Sequence, residues 1–369
     1  MRVLIWVQHL LGTGHTVRAV AIARALHAQG ASVMVVLGAD PPATVDLSGL
    51  EIATLTPVAA TDGSFRAIES ADGVPYQTLA PRRTATLLTL FKTWQPRAIL
   101  TETFPFGRRA FGAELIPLLE AAQAQGVLRA ASIRDVLVRK SPAKEAAMVA
   151  LARQHYQEVL VHADPQVVTL RESFGRADEI EDLTRYTGFV DAGAPVTHQD
   201  ERAGVVVSVG GSGVGGALVR CAAKAAAISD PALQWTILLP PQLWAQRETV
   251  CGSVGANVSL EPNRADFRAL LGAASLSISQ AGYNTVLDVL SAGPRMIFVP
   301  FAAHEETEQS DRAAALAARA LAQVMEEEGL TPAALAAAVA AALQQPLPKI
   351  PGFNHAGAAE SARVLLRAV

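Results

Sequence analysis

The sequence predicts an α/β protein built from two Rossmann-like halves. Three observations predict it. Short apolar runs alternate with helical patterns along both halves of the chain. Each half opens on such a run followed at once by a glycine-rich turn. One stretch near the middle, residues 191–203, breaks the alternation with Gly, Pro and charges in DAGAPVTHQDERA and reads as a linker. A chain of 369 residues has material for two sizeable cores.

In the first half, Arg2 to Val7 reads as a buried strand and Thr16 to Gln29 as a helix. Thr16 is the expected cap and Gly30 the expected stop. Strands follow at Ala31–Leu37 and Leu50–Thr56. Residues 59–75 are polar and irregular, as in a loop over a site. Further strands are expected at Ala98–Thr101, Leu128–Ile133 and Val159–Val161, with helices at about 109–125 and 142–156. This order implies a parallel sheet covered on both faces. The second half repeats it. Strands are expected at Gly204–Val209, Trp235–Leu239, Val258–Glu261, Leu276–Ser279 and Met296–Val299. Alanine-rich helices follow at about 309–321 and 332–344, and a last helix at about 356–368.

Composition excludes several classes. The net charge is −3, which argues against a dedicated nucleic-acid binder. Cys221 and Cys251 stand far apart, without metal-ligand spacing, so neither a disulfide framework nor a zinc site is expected, and a reducing cytoplasm fits. No run reaches the roughly eighteen apolar residues of a membrane span. The opening MRVLIWVQHLLGTGH meets His9, Gly12 and His15 too soon for a signal peptide and reads as the first strand and its turn.

Three glycine-rich turns follow strands. The first, 12-GTGH-15, lets Gly12 and Gly14 bring the backbone close to a ligand with His15 at the helix mouth. A dinucleotide fingerprint is incomplete there, because Val17 stands where the third glycine belongs, and Leu37 and Gly38 stand where an acid should end the second strand. The second turn, 208-SVGGSGVGG-216, is the stronger phosphate cradle. The third lies in 278-ISQAGYNTVLDVLSAGPRMIFVP-300, where backbone N–H groups at a helix start can hold a phosphate and Asp288, one turn in, can reach a ribose hydroxyl. For each turn the bland reading is an ordinary βα connection with no ligand.

At GGSG (210–213) and SQAGYNTVLDVLSAGPRMIFVPF (279–301) the chain resembles the donor-binding half of GT-B glycosyltransferases, and within them the MurG-like group that includes lipid II-forming N-acetylglucosaminyltransferases and the bacterial predicted glycosyltransferases related to them. The resemblance extends through QHLLGTGHTVRA (8–19), TETFPFGRRAFGAEL (101–115), ASIRDVL (131–137), LVHADP (160–165) and TGFV (187–190), so it covers nearly the whole chain. It implies a GT-B fold with two Rossmann-like domains facing each other across a cleft. Residues 1–195 would bind the acceptor, 204–352 the nucleotide-sugar donor, and the helix of 353–369 would return to the first domain. It further implies that Gly210, Gly211 and Ser212 approach the diphosphate, with Gly282, Asn284 and Thr285 opening the other phosphate-side helix. Asp288 stands where MurG-type sequences usually carry Glu for the ribose. Glu308 and Gln309 take the place of the pair that reads the sugar, and His304 lies in the same loop. That loop, AAHEETEQ, is richer in carboxylates than the group's pattern, which leaves the sugar open. A base-binding loop would fall at 262–267. No metal and no cofactor are expected, since helix dipoles serve the diphosphate in this group.

An inverting transfer needs a base for the acceptor hydroxyl and donors for the leaving diphosphate. His15 is one candidate base, since a helix N-terminus keeps a histidine neutral. Its alternative is a capping role, and His9 is a second histidine in the same loop. Glu102, ending a strand where ligands bind in open sheets, is the other candidate. It could act as base, orient His15, or pair with Arg108 or Arg109. Gly12, Gly14, Arg108, Arg109 and Arg134 form the acceptor side. Between Arg82 and Lys144 eleven basic residues face four acidic ones, a net +7. That suits an anionic or lipid-linked small-molecule acceptor and a peripheral contact with the inner face of a membrane. Arg82, Arg83 and Lys92 read as solvated helix faces. The reading is therefore a metal-independent, inverting glycosyltransferase using a nucleoside diphosphate sugar, UDP-linked by analogy. An epimerase or hydrolase on the same scaffold, a non-catalytic nucleotide-sugar sensor, and, more distantly, an oxidoreductase are the alternatives.

Overall fold

A computed structural model of the chain describes all residues except 11–12, 43–44, 61–66, 192, 194–195, 197–200, 212–213, 303–306 and 368–369. Two compact units result, Met1–Ala192 with Phe353–Val369, and Gly193–Gly352.

The first unit begins with β1 (Arg2–Val7), α1 (Gly14–Ala28), β2 (Ser32–Leu37) and β3 (Glu51–Thr54). A small ribbon, β4 (Ala59–Ala60) and β5 (Ile68–Glu69), precedes α2 (Tyr76–Trp94). Then come β6 (Ala98–Glu102), α3 (Gly112–Ala124), β7 (Leu128–Arg134), α4 (Pro142–His155), β8 (Glu158–His162) and β9 (Thr184–Tyr186). Seven strands form one sheet in the order β3-β2-β1-β6-β7-β8-β9, and every pairing in it is parallel. The strand order reverses between β1 and β6. In open α/β sheets that switch point, at the carboxyl ends of the strands, is where ligands bind. Val3 to Val7 and Ala98 to Leu100 are buried, as the continuous apolar runs require of central parallel strands.

The second unit runs β10 (Val205–Ser208), α5 (Gly216–Ala227), β11 (Trp235–Leu239), α6 (Pro241–Trp244), α7 (Arg247–Cys251) and β12 (Val258–Pro262). It continues with α8 (Phe267–Ala273), β13 (Leu276–Ser279), α9 (Tyr283–Ala292) and β14 (Arg295–Phe298). The unit closes with α10 (Glu308–Ala318), β15 (Gln323–Val324) and α11 (Pro332–Leu343). Its sheet order is β12-β11-β10-β13-β14-β15, again parallel throughout and reversing between β10 and β13. Gly293, at φ 67°, ends α9 in the left-handed conformation that glycine tolerates best.

The last helix, α12 (Gly357–Arg367), belongs to the first unit, where it packs on α1. Ala362 and Leu365 enter the same core as Ile5, Ile22 and Leu26.

Three local readings differ from the sequence-based ones. Thr16 does not cap α1: it lies inside the helix, buried, and its Oγ1 meets His9 Nδ1 at 3.1 Å. Helix α2 is given no bounds by the sequence, which marks only Arg82, Arg83 and Lys92 as helix faces, and it carries Pro81 in its body. Arg83 is no solvated residue. It is fully buried, gives Nε to Glu114 Oε2 at 2.7 Å and Nη2 to Glu114 Oε1 at 2.9 Å, and bonds Gly38 O and Gln8. Arg129 is also buried, so the basic surface of this stretch is smaller than its residue count.

Candidate functional site

In the first unit the switch point brings two predicted residues together. His15 sits in the first turn of α1, after β1, and Glu102 is the last residue of neighbouring β6. His15 Nδ1 lies 2.9 Å from Glu102 Oε1, with side-chain exposures of 13% and 2%. The guanidinium paired with Glu102 belongs to Arg18, one turn further along α1, and not to Arg108 or Arg109. Arg18 Nη2 meets Oε1, and Nε reaches Oε2 at 3.3 Å. Thr103 Oγ1 donates to Oε1 at 3.1 Å, and Ser132 Oγ donates to Oε2 at 2.6 Å. Both carboxylate oxygens are thus taken up by donors.

The electrostatics follow from this packing. Burial pushes the Glu102 carboxyl up, but Arg18 and the hydrogen bonds from His15 and Arg18 outweigh it and hold Glu102 well below the usual range. Burial lowers His15 to about 3; the bond to Glu102 opposes this, and the positive charges of Arg108 and Arg134 add to it. Near neutral pH the pair is therefore a carboxylate beside a neutral imidazole. Three groups meet His15 Nδ1: Glu102 Oε1 at 2.9 Å, which can only accept, Thr103 Oγ1 at 3.1 Å, which can accept, and Arg18 Nη2 at 3.2 Å, which can only donate. The shortest of them, to the carboxylate, favours Nδ1–H and leaves the lone pair on Nε2. That tautomer can accept a proton at Nε2, as a general base requires. His9 is held below its ordinary value chiefly by burial and bonds Thr16.

The other acceptor-side residues are placed around this pair. Gly14 opens α1, with open space where a Cβ would stand. Arg108, half-buried, donates Nε to Gln8 O at 3.0 Å. Arg109 begins a 3-10 turn, and Arg134 ends β7. Asp135 takes the N–H of Val136 at 2.9 Å. Gly12 lies outside the described residues.

In the second unit the other switch point brings two of the glycine turns together. Gly210 follows β10 with φ 70°, and Gly282 precedes α9 as its cap residue. A Cβ at Gly210 would stand 3.6 Å from Thr285 Oγ1, and one at Gly282 would stand 3.9 Å from the same atom. The Thr285 hydroxyl is thus common to both turns. Ser208 Oγ accepts the Gly210 N–H at 3.3 Å, and Asn263 Nδ2 donates to Gly210 O at 2.9 Å, pinning the turn from both sides. Gly211 is exposed, with open space at its Cβ position. Asn284 is exposed in the first turn of α9. The arrangement offers backbone N–H groups at a helix start beside a left-handed glycine turn, the chemistry of an oxyanion cradle.

Asp288 is half-buried, and its Oδ1 takes Arg268 Nε at 2.5 Å. Glu308 and Gln309 open α10, and Gln309 Oε1 accepts the Phe301 N–H at 3.0 Å, closing the base of that loop. Ser212 and His304 lie outside the described residues. Among the described residues no group of three or more His, Cys, Asp or Glu is placed to hold a metal ion, and no helix is long and apolar enough to cross a membrane.

Sequence reasoning missed Arg18, Ser132 and His162 in the first unit, and Asn263 and Arg268 in the second. Only Arg18 left a signal, its i+3 spacing from His15 on a predicted helix.

Residues 205–363 match the model of the glycosyltransferase family 28 C-terminal domain. A UDP-N-acetylglucosamine–N-acetylmuramyl-(pentapeptide) pyrophosphoryl-undecaprenol N-acetylglucosamine transferase of Xanthomonas campestris pv. campestris (strain B100) is 32% identical over 139 residues, 37% of this chain and 33% of the relative. The transferase of that name from Symbiobacterium thermophilum is 29% identical over 185 residues, 50% of this chain and 48% of the relative. The matches thus span a third to about half of these relatives. Among solved structures, Acinetobacter baumannii MurG aligns over 98% of this chain and 94% of its own at TM-score 0.64 and 16% identity. The spinosyn rhamnosyltransferase SpnG complexed with thymidine diphosphate aligns over 99% and 95% at TM-score 0.63 and 18% identity. These likenesses establish the fold.

Proposed function

We propose that this chain, a MurG-like protein of GT-B fold whose residues 205–363 match the glycosyltransferase family 28 C-terminal domain, transfers a sugar from a nucleoside diphosphate sugar to an acceptor hydroxyl. The observation that carries the reading is the convergence of Gly210 and Gly282 on the Thr285 hydroxyl, inside the family-matched segment and at the sheet's switch point. On this reading Gly210, Gly211 and the start of α9 receive the diphosphate. Asp288, steadied by Arg268, takes the ribose, and Glu308 with Gln309 reads the sugar.

The chemistry is a single displacement. His15 Nε2 removes the acceptor hydroxyl proton as its oxygen attacks the anomeric carbon. The bond from that carbon to the diphosphate oxygen breaks, and the configuration inverts. The negative charge on the departing diphosphate is met by backbone N–H groups and the helix dipole, so no metal is required. Glu102 orients His15 and stays ionised; its saturation by donors speaks against its serving as the base itself. Arg108 and Arg134 favour an anionic acceptor. The relatives named above act on a pyrophosphoryl-undecaprenol substrate, and a lipid-linked acceptor met at the inner face of a membrane is the form we propose here. UDP is the proposed nucleotide, by analogy with those relatives.

The test is product analysis in EDTA with a panel of UDP- and dTDP-sugars. Release of the nucleotide with the sugar appearing in the inverted configuration on an added acceptor supports the reading, and release onto water alone shows a hydrolase. A sugar that changes stereochemistry while still on the nucleotide shows an epimerase, and retained configuration on release removes the single displacement.

A further inference from the structure

Beneath the His15–Glu102 pair runs a second set of buried polar side chains, carried on adjacent strands. Glu102 ends β6, Ser132 stands opposite it on β7, and His162 ends β8. Ser132 Oγ lies 2.6 Å from Glu102 Oε2 and 2.8 Å from His162 Nε2. His162 Nδ1 lies 2.9 Å from Thr187 Oγ1. Ser132, His162 and Thr187 are all fully buried.

The proton positions in this chain follow from which of these groups can donate. Glu102 is held ionised beside Arg18 and can only accept, so Ser132 must give it the single hydroxyl hydrogen. Ser132 Oγ can then only accept from His162, which places a hydrogen on His162 Nε2. Burial keeps His162 neutral, lowering it to about 3, so its Nδ1 carries a lone pair. Thr187 therefore turns its hydroxyl hydrogen to that Nδ1 at 2.9 Å, the shortest of its contacts, ahead of the carbonyls of Gly188 at 3.2 Å and Val161 at 3.4 Å. Every bond in the series points the same way, toward Glu102. One carboxylate oxygen is engaged from below by Ser132, and the other faces His15.

We propose that Ser132 and His162 are positioning residues for His15: the one-directional hydrogen-bond series Thr187–His162–Ser132–Glu102 fixes the carboxylate and thereby holds His15 as its Nδ1–H tautomer, with Nε2 ready to accept a proton. The proposal rests on the reading of His15 as the base and extends it to side chains that never touch a substrate. His162 does not exchange protons during turnover; its part is orientation. This resembles the outer partners of metal-bound histidines, whose hydrogen bonds select which ring nitrogen is protonated.

The first measurement is long-range nitrogen–proton NMR on the full chain labelled with 15N-histidine at neutral pH. The eight histidines are assigned with the help of His15→Gln and His162→Gln variants. The expected result is His162 as Nε2–H and His15 as Nδ1–H in the wild-type protein, with the Nε2–H form of His15 appearing in Ser132→Ala. The wild-type part of this test needs no variant to fold. The second measurement is UDP release from UDP-N-acetylglucosamine. Ser132→Ala and His162→Leu should lower kcat by about tenfold or more, the scale on which outer-partner losses act, and leave KM for the donor unchanged. His162→Gln, whose Nε2–H can still donate to Ser132, should recover most of that loss.

His15 found as Nε2–H in the wild-type protein overturns the proposal. So does an unchanged His15 tautomer, or an unchanged kcat, in Ser132→Ala. Absence of UDP release from the wild-type protein would count against the transferase reading instead, and the tautomers would still decide this proposal.

Discussion

Replacing Arg18 by Met tests the electrostatic logic of the first-unit site. Arg18 and Glu102 are both almost wholly buried and share two contacts, one through each carboxylate oxygen. Removing one member of a buried pair leaves the other charge without its counter-ion and costs about 3–5 kcal/mol. Glu102 keeps donors from Ser132, Thr103 and His15, so Arg18→Met should fall near the lower end, about 3 kcal/mol. Glu102→Gln strands the guanidinium and should cost a similar amount. The double variant buries neither charge, so the two losses should not add; a coupling of about 2 kcal/mol or more is expected. Native-state hydrogen exchange at β1 and β6 amides reads this unit alone and avoids assuming that the whole chain unfolds in one step. Additivity within about 0.5 kcal/mol would refute the argument, because independent sites behave in that way.

Other consequences follow from the same geometry. His15 and His162 are both lowered to about 3 from 6.5, mainly by burial. The unfolded chain binds their protons first, so their effect on stability is absent above pH 6.5 and grows as the pH falls toward 3. One unit below the unfolded value, each should cost ~1.4 kcal/mol. Denaturation midpoints from pH 7 to pH 5 should fall accordingly, with His9 and His155, also lowered by burial, adding to the slope. His162→Gln should remove its own share of that slope; a slope unchanged by the variant would contradict the assignment. In the second unit, Gly210→Ala should cost about 1 kcal/mol, since φ 70° strains any residue with a Cβ. It should also weaken nucleoside diphosphate binding, measured by calorimetry. Gly211→Ala, whose Cβ meets open space, should leave stability within the error of the measurement. Unequal binding losses in the order opposite to this would mean that the turn's conformation is not what serves the ligand.

Much of the fold was legible because parallel sheets write themselves as apolar runs separated by helical periods. β1, β2, β6, β7 and β8 stand within a residue or two of where alternation put them. The glycine turns were legible too, since a left-handed residue such as Gly210 leaves its mark as glycine. Three kinds of feature were not. Helix α2 carries five threonines and Pro81 in its length, which blur the apolar stripe that announces a helix. Strand β9 is a three-residue edge strand, too short for alternation to register. The partners of Glu102 depend on register between strands far apart in sequence. Ser132 faces Glu102 only because β6 and β7 pair as they do, and nothing in ASIRDVL states that. Arg83 shows the converse: with Arg82 and Lys92 it read as a solvated helix face, while its partner Glu114 comes from the next helix and is invisible in a local reading.

The central claim is that the second unit's paired glycine turns form a nucleoside diphosphate site that works without a metal. Isothermal titration of UDP and dTDP into the full chain in EDTA, with Thr285→Val alongside, tests it most directly. The account predicts saturable one-to-one binding of one nucleotide in EDTA, weakened by at least tenfold in Thr285→Val with the melting temperature little changed, a loss of about 1.4 kcal/mol or more. Binding that appears only when a divalent cation is restored, or that Thr285→Val leaves intact, would contradict it.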